Sequence, residues 1–260
     1  MAELNNSRLT IRIGRNSLSF SMPDEENHIG FDPYVVRSGV SMAANLREAL
    51  RGRAMPPRAR VLLDSDVLMV PIEQFEETNM YQLHHHAFPD DEQDTVLYNV
   101  LPDLNAVAVF NINRDLKLVL DDNFADVRFV SAITPVWRHL HQRSFTGTRY
   151  KLYGYFHEQR LEVFSFQQNR FKFCNSFEAT RAKDALYFLL YVWNQLQLDN
   201  RFDELHLVGE IPEQEWMTEE LKQYLQKVYV INPSADFNRA PVTEIKGMPF
   251  DLQTLYVKGR

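Results

Sequence analysis

A chain of 260 residues with 45% hydrophobic and 24% charged side chains can bury one large core or two of ordinary size, which excludes a disordered or fibrous protein. Its formal net charge of -7 disfavours general nucleic-acid binding, because that class draws most of its affinity from phosphate neutralisation by Lys and Arg. The single cysteine, Cys174, excludes an internal disulfide and any multi-cysteine zinc or iron-sulfur centre.

Residues 1–7 hold no basic stretch followed by an apolar core, so no secretion signal is expected. The most apolar stretch, residues 185–193, is far shorter than the roughly 20 residues a bilayer demands, and it sits in an amphipathic helical pattern. No membrane span is expected, and the cytoplasm is the expected location. Charge is unevenly spread. Residues 1–60 hold nine Arg, no Lys and six acids, with five of the Arg between positions 47 and 60, whereas residues 73–126 hold twelve acids against Arg114 and Lys117. Such runs usually form solvated faces and less often a partner surface.

In chain order, residues 8–13 alternate Leu9, Ile11 and Ile13 with polar residues, and 17–22 resume the alternation after Gly14-Arg15-Asn16, a β-hairpin pattern. Residues 38–50 set Val40, Ala43, Ala44, Ala49 and Leu50 at helical spacing and end at Gly52 and Pro56-Pro57. Residues 60–63 and 67–70 flank Asp64-Ser65 as a strand pair or one bent strand, closed by Pro71. A helix with an acidic start is predicted over 73–86, followed by a polar connector and a meander of strands at 96–100, 106–110 and 117–120. A strand at 127–133 leads through Pro135 into a helix over 136–142.

Residues 143–148, with Ser144, Thr146, Gly147 and Thr148, mark the expected boundary, giving halves 1–145 and 146–260. In the second half, strands at 151–156, 161–166 and 171–174 precede a helix capped by Asn175, with Glu178 three residues on. That helix buries Ala182, Ala185, Leu186, Leu189, Leu190, Trp193 and Leu196 at the period of about 3.6 residues. A strand at 205–208, a helix from Pro212 to about residue 227 and a strand at 228–231 complete the unit. The tail from Asn232 reads as loop with a final strand at 252–257.

Nine glycines, at 14, 30, 39, 52, 147, 154, 209, 247 and 259, include no adjacent pair and no pair one residue apart. Phosphate loops need side-chain-free backbone so that consecutive N–H groups converge on an anion, and neither a Walker nor a Rossmann signature is present. His84-His85-His86, close to Asp90 and Asp91, invites a metal hypothesis, but on a helix the three rings point about 100° apart. His139 and His141 share that limitation. A polar helix end, favoured by the helix dipole, is the expected role of the triplet. Cys174 lacks a Gly-flanked catalytic signature and is expected to be a small core residue, and no G-x-S-x-G occurs. Tyr150, Tyr153, Tyr155, Phe156, Phe164, Phe166, Phe171 and Phe173, beside Lys151, Arg160, Arg170 and Lys172, offer stacking for single-stranded nucleic acid. A sheet packed on both faces is the favoured reading of the same aromatics.

Three strands, a helix, a strand, a helix and a strand follow one another from residue 150 to 231, and a shorter echo of that order opens the chain. Arg12-Ile13-Gly14-Arg15 stands at the first hairpin turn, Gly154 in the matching strand of the second half, and Leu207-Val208-Gly209-Glu210 after the late strand. This layout resembles the actin-like ATPase superfamily, and the whole chain resembles an uncharacterised family of Bacteroides-type bacteria with that fold. The resemblance implies an α/β architecture of two ribonuclease-H-like halves, with a nucleotide cleft between them and Gly14, Arg15, Gly154 and Gly209 near the phosphates. It also implies an Asp two residues before the glycine of each phosphate loop. Arg12 and Leu152 stand there instead, and the paired glycines that contact adenosine reduce to Gly209 followed by Glu210.

Phosphoryl transfer to water needs a bridging cation and a positioned nucleophile, so hydrolysis is not expected without those carboxylates, and a two-metal nuclease is disfavoured on the same ground. The expected function is a non-catalytic actin-like scaffold or interaction module for an unidentified protein partner, with no cofactor and no nucleic acid. One alternative is a divergent nucleotide-binding protein or ATPase that takes ATP in the cleft. Another is a nucleic-acid-associated factor using the arginines of residues 47–60.

Overall fold

The alternation of Leu9, Ile11 and Ile13 produces β1 (Leu9–Ile13), which turns into the antiparallel β2 (Leu18–Pro23) with Ile13 opposite Leu18. The computed structural model describes residues 8–24, 26, 28–89, 94–145, 149–167 and 170–257. Strand β3 (Ile29–Tyr34) pairs outside β2. Its Gly30, Asp32 and Pro33 conceal strand character in the sequence, and Pro33 is tolerated because β3 is an edge strand. Helix α1 (Met42–Leu50) begins where the Ser41 hydroxyl accepts the Ala44 N–H at 3.2 Å, and it buries Ala43, Leu46, Ala49 and Leu50. Strand β4 (Arg58–Leu63) returns parallel to β1 on the side away from β2.

Three predicted elements differ in the segment that follows. Strand β5 (Val67–Pro71) is not the hairpin partner of β4. The predicted helix over 73–86 is two short 3-10 turns followed by α2 (Met80–Ala87). Strands β6 (Thr95–Leu101) and β7 (Ala106–Ile112) join β5 in a separate sheet, ordered β5-β7-β6, around Val70, Val96, Val107 and Val109. The third strand of the predicted meander is a helix, α3 (Arg114–Asn123). Asn113 starts it, its side-chain oxygen accepting the N–H groups of Asp115 and Leu116 at 3.0 and 3.4 Å, while Leu116, Val119 and Leu120 share the buried stripe. Strand β8 (Asp126–Ser131) then pairs parallel with β4. The first sheet reads β3-β2-β1-β4-β8.

After α4 (Ile133–Ser144) the same construction repeats. Strands β9 (Lys151–His157), β10 (Arg160–Gln167) and β11 (Arg170–Glu178) form an antiparallel meander. Asn175 does not cap a helix: β11 runs on to Glu178, because its pairing with β10 continues to Arg160 opposite Glu178. Helix α5 (Ala182–Gln195) starts later and buries Ala182, Ala185, Leu189, Val192 and Trp193, close to the predicted stripe. Strand β12 (Glu204–Gly209), α6 (Gln214–Tyr224) and β13 (Val228–Val230) complete a sheet ordered β11-β10-β9-β12-β13. The tail contains α7 (Pro233–Asp236) and α8 (Phe250–Tyr256), the latter where a strand was predicted. Phe250, Asp251, Leu252 and Thr254 are its buried residues, and the burial of Asp251 between Phe250 and Leu252 departs from the alternation of a half-buried strand.

The two sheets therefore have one topology, with β1, β2, β3, β4 and β8 matched by β9, β10, β11, β12 and β13. Helices α1 and α3 share a core with the first sheet, and α5 and α6 share one with the second. The chain divides into two compact units, one of Met1–Leu101 with Val107–Thr134 and the other of Pro102–Ala106 with Pro135–Arg260. Helix α4 packs within the second unit, where the Trp137 ring meets Phe171 at 4.8 Å and Phe164 at 6.4 Å.

Candidate functional site

In the first unit, the C-terminal ends of β1 and β4 and the start of α3 surround a pocket of about 230 Å³. Strand ends of this kind are where open α/β sheets bind ligands. Gly14 and Arg15 line it, together with Asp64, Asp66 and Asp94. Arg15 pairs with Asp66 at 3.4 Å. The Asp94 carboxylate accepts from the side-chain amides of Asn111 and Asn113 at 3.0 and 3.4 Å. Three carboxylates face a single guanidinium among these wall residues, a balance that opposes an incoming phosphate.

Four N–H groups around the pocket already have acceptors within the chain. Gly14 N–H donates to the Ser17 carbonyl at 2.8 Å, and Asp64 N–H donates to the Ile13 carbonyl at 2.9 Å. At the start of α3, the Asp115 and Leu116 N–H groups donate to Asn113. Arg12, 2% exposed, turns its guanidinium to the Ser17 hydroxyl at 2.8 Å. Sequence reasoning missed Asp64, Asp66, Asp94, Asn111 and Asn113. The available signal was Asp64-Ser65-Asp66 directly after a predicted buried strand.

The second unit changes the residue correspondence. Phe156 of β9 lies opposite Gly209, the last residue of β12, just as Ile13 lies opposite Leu63, the last residue of β4. Tyr155 and His157, rather than Leu152 and Gly154, thus hold the positions of Arg12 and Gly14. The turn is Glu158-Gln159, with φ of +43° and +66°, and Phe156 opposite Leu161 spans the same number of residues as Ile13 opposite Leu18. Neither position carries an acid: the Tyr155 hydroxyl instead donates to the buried Asp251 at 3.3 Å.

Gly154 and Gly209 both lie in the second unit and have local packing roles. A Cβ on Gly154 would approach methyls of Leu207, Leu189 and Leu161 at 3.1, 3.2 and 3.3 Å. The missing side chain therefore lets α5 settle on the sheet. Gly209, with φ of +95°, passes so close to β9 that a Cβ would lie 2.0 Å from the Phe156 carbonyl oxygen. That oxygen accepts the Glu210 N–H at 2.9 Å.

The other sequence candidates resolve as packing or surface groups. His84, on α2, is buried with its ring 5.0 Å from Phe88, while His85 stacks on Tyr81 at 5.9 Å. Asp90 and Asp91 lie outside the described residues. No group of three or more His, Cys, Asp or Glu among the described residues is arranged for a metal ion. Cys174 is half-buried on β11, opposite Phe164. Tyr153, Tyr155, Phe156, Phe164 and Phe166 are all buried. Phe156 faces α5 and α6, and Trp137 of α4 meets Phe164. Within the 47–60 cluster, Arg51 meets Glu48 at 3.6 Å, Arg53 meets Asp32 at 2.6 Å and Arg58 meets Asp126 at 4.0 Å. Much of that positive charge is answered locally.

A second pocket, of about 510 Å³, was not anticipated. It lies in the second unit along β12 and β13, and its walls include Arg143, Glu204, His206, Tyr229, Asn232 and Asp236. Asp236, on α7, is paired with Arg143 and meets His139 Nε2 at 2.5 Å. Burial lowers His139 from 6.5 to about 4, and the neighbouring Arg143 acts in the same direction. His139 is therefore neutral and donates to Asp236. His206 meets Glu204 at 2.9 Å; burial lowers its pKa, partly opposed by that carboxylate. Lys151 donates to the Arg143 carbonyl at 3.1 Å, and burial lowers its pKa as well. These residues span positions 143–236 and carry no common motif.

Two sheets of one strand order, each with its helix pair on one face, and a first pocket at the strand ends define the actin-like ATPase fold. The chain belongs to the DUF3822 family of proteins of unknown function, whose model matches residues 1–228. It is similar to a Bacteroides thetaiotaomicron protein described as having an actin-like ATPase fold and unknown function. The two are 26% identical with a TM-score of 0.86, over 99% of this chain and 98% of that one. A chain of the PilM-PilN type IV pilus biogenesis complex matches with a TM-score of 0.59 and 11% identity, over 97% of this chain and 98% of that one. No curated protein matches the sequence. Among the described residues no helix is long and apolar enough to cross a membrane.

Proposed function

We propose that this protein is a non-catalytic actin-like scaffold that holds a protein partner in the cytoplasm. The observation that carries the reading is the first pocket. Its Gly14, Asp64, Asp115 and Leu116 N–H groups donate within the chain, and its wall carries Asp64, Asp66 and Asp94 against Arg15. A phosphate entering there finds carboxylates in place of donors. The absence of an acid at Arg12 and Tyr155 removes the groups that would position a metal and its water. The pilus complex supplies a fold relative that works bound to another protein.

Steady-state phosphate release with Mg²⁺ and Mn²⁺, beside calorimetry with ATP, tests the proposal. The expected result is no turnover and no heat of binding. Metal-dependent turnover that disappears in Arg15→Ala would overturn it in favour of a divergent ATPase.

A further inference from the structure

The two five-stranded sheets have four edges, and three are guarded. Strand β3 carries Asp32 and Pro33, and β11 carries Lys172 and Glu178, the charges and proline that discourage pairing with a further strand. Strand β8 is blocked by a side chain. Asn99, from β6, donates its amide N–H to the Phe129 carbonyl and accepts the Ser131 N–H, both at 3.0 Å. Its amide takes the place of a neighbouring strand.

The equivalent edge of the second sheet, β13, has the sequence Val-Tyr-Val, without charge or proline, and among the described residues no side chain bonds to it as Asn99 does to β8. Leu205 N–H donates to the Lys227 carbonyl at 2.9 Å and Ile231 N–H to the Leu207 carbonyl at 2.8 Å. Alternation along the strand then turns the N–H and C=O of Val230 away from β12. Tyr229 and Val230 are 46% and 38% exposed.

A row of rings ends at this edge. Tyr153 of β9, His206 of β12 and Tyr229 of β13 are in register, with centroids 5.4 and 5.2 Å apart. The row lies beside the second pocket, where Arg143 is paired with Asp236 and Glu204 with His206. An incoming full charge would have no counter-ion among these pairs, whereas a neutral planar side chain would continue the row. A three-residue strand pairing with its own copy would bury far less than the roughly 1,200 Å² of a stable dimer.

We propose that the β13 edge docks an extended segment of a partner protein, which adds as a sixth strand and sets an aromatic side chain against Tyr229. This rests on the scaffold reading and identifies its partner surface. Main-chain bonds to Val230 would supply affinity, and the ring at Tyr229 would supply register.

The test is selection of a displayed library of random linear peptides on the whole protein. Enriched peptides are then titrated by fluorescence polarisation against wild type, Val230→Pro, Val230→Lys and Tyr229→Ala. The expected result is enrichment of an aromatic residue and slowed amide exchange at Val230 on binding. Affinity should fall about tenfold or more in Val230→Pro, which removes the outward donor without touching the β12 bonds, and up to about fivefold in Tyr229→Ala. Val230→Lys reads the same edge if the proline variant does not fold. Failure to enrich any peptide, or binding indifferent to both Val230 variants, overturns the edge site while the scaffold reading stands. Self-association abolished by Val230→Lys also overturns it, because the occupant is then a second copy. ATP turnover by wild type would sink the scaffold reading and leave an edge-dependent peptide affinity as measured.

Discussion

Replacing Gly209 with Ala tests whether the isolated glycines serve the fold or a nucleotide. At φ of +95° the new Cβ meets the Phe156 carbonyl oxygen at 2.0 Å and its carbonyl carbon and amide nitrogen at 3.0 and 3.1 Å. All three are backbone atoms and cannot rotate away, so β9 and β12 must separate by about 1 Å or more to restore ordinary contact. Holding a non-glycine residue at such a φ costs about 1–3 kcal/mol. Losing the Glu210 N–H bond to Phe156 adds about 1 kcal/mol, and overpacking a further 1–3. Allowing for overlap between these effects, Gly209→Ala should lose about 3–5 kcal/mol in urea unfolding followed by circular dichroism. Gly154→Ala, which meets only the flexible ends of three leucines, should lose about 1–3 kcal/mol. A nucleotide-contact role predicts the opposite pattern: unliganded stability unchanged and ATP binding lost. A loss below about 1 kcal/mol in Gly209→Ala would refute the packing argument.

Leu189→Ala, on the buried face of α5, should cost about 2–5 kcal/mol, and a loss under about 1 would mean the helix is wrongly phased. Asn99→Ala leaves the Phe129 carbonyl and Ser131 N–H unanswered and should cost about 1–3 kcal/mol, with new self-association visible by sedimentation. His139 supplies a pH test. Its folded pKa near 4 lies below the ordinary 6.5, so between those values the unfolded chain binds a proton that the folded chain does not. Stability is complete above about pH 6.5 and falls as the pH drops through that window. His139→Asn should remove on the order of 2 kcal/mol of the change between pH 7 and 4, and an unaltered slope would show that His139 titrates normally.

Legibility followed the range of the forces involved. Strands and helices that bury one stripe were readable because neighbours in sequence carry the pattern, as with Leu9, Ile11 and Ile13, or Ala185, Leu189 and Trp193. The failures have specific causes. Residues 117–120 look alternating in isolation, but the Asn113 cap commits them to a helix. Asn175 and Glu178 imitate a capping box inside a strand because the pairing with β10 supplies their backbone bonds. Strand β3 was hidden by Asp32 and Pro33, residues acceptable only at an edge whose existence is a tertiary fact. At the first pocket, Gly14 and Arg15 lie on one hairpin turn and are local in sequence, whereas Asp94, Asn111 and Asn113 reach it from distant elements. Gly154 does not fall at the level of Gly14, because the register with the neighbouring parallel strand sets Phe156 level with Ile13 and so places His157 there, a pairing that no local pattern announces.

Equivalent positions in two sheets of one topology isolate what the fold does not dictate. Both hairpins must turn, yet one does so through Gly14-Arg15-Asn16-Ser17 above an acidic pocket and the other through Glu158-Gln159 beside the Tyr155–Asp251 contact. Topology requires neither set of side chains, so their chemistry bears on function. On the scaffold proposal neither set serves phosphate, and the two turns are free to differ. The edges diverge in the opposite sense. A long-range side-chain bond from Asn99 occupies β8, whereas β13 lacks an equivalent guard and ends a row of aligned rings. An unguarded edge carries a risk of unwanted pairing, and a surface for a selected strand is a physical reason to retain it. The divergence therefore directs the search for function away from the strand-end pocket and toward the β13 edge.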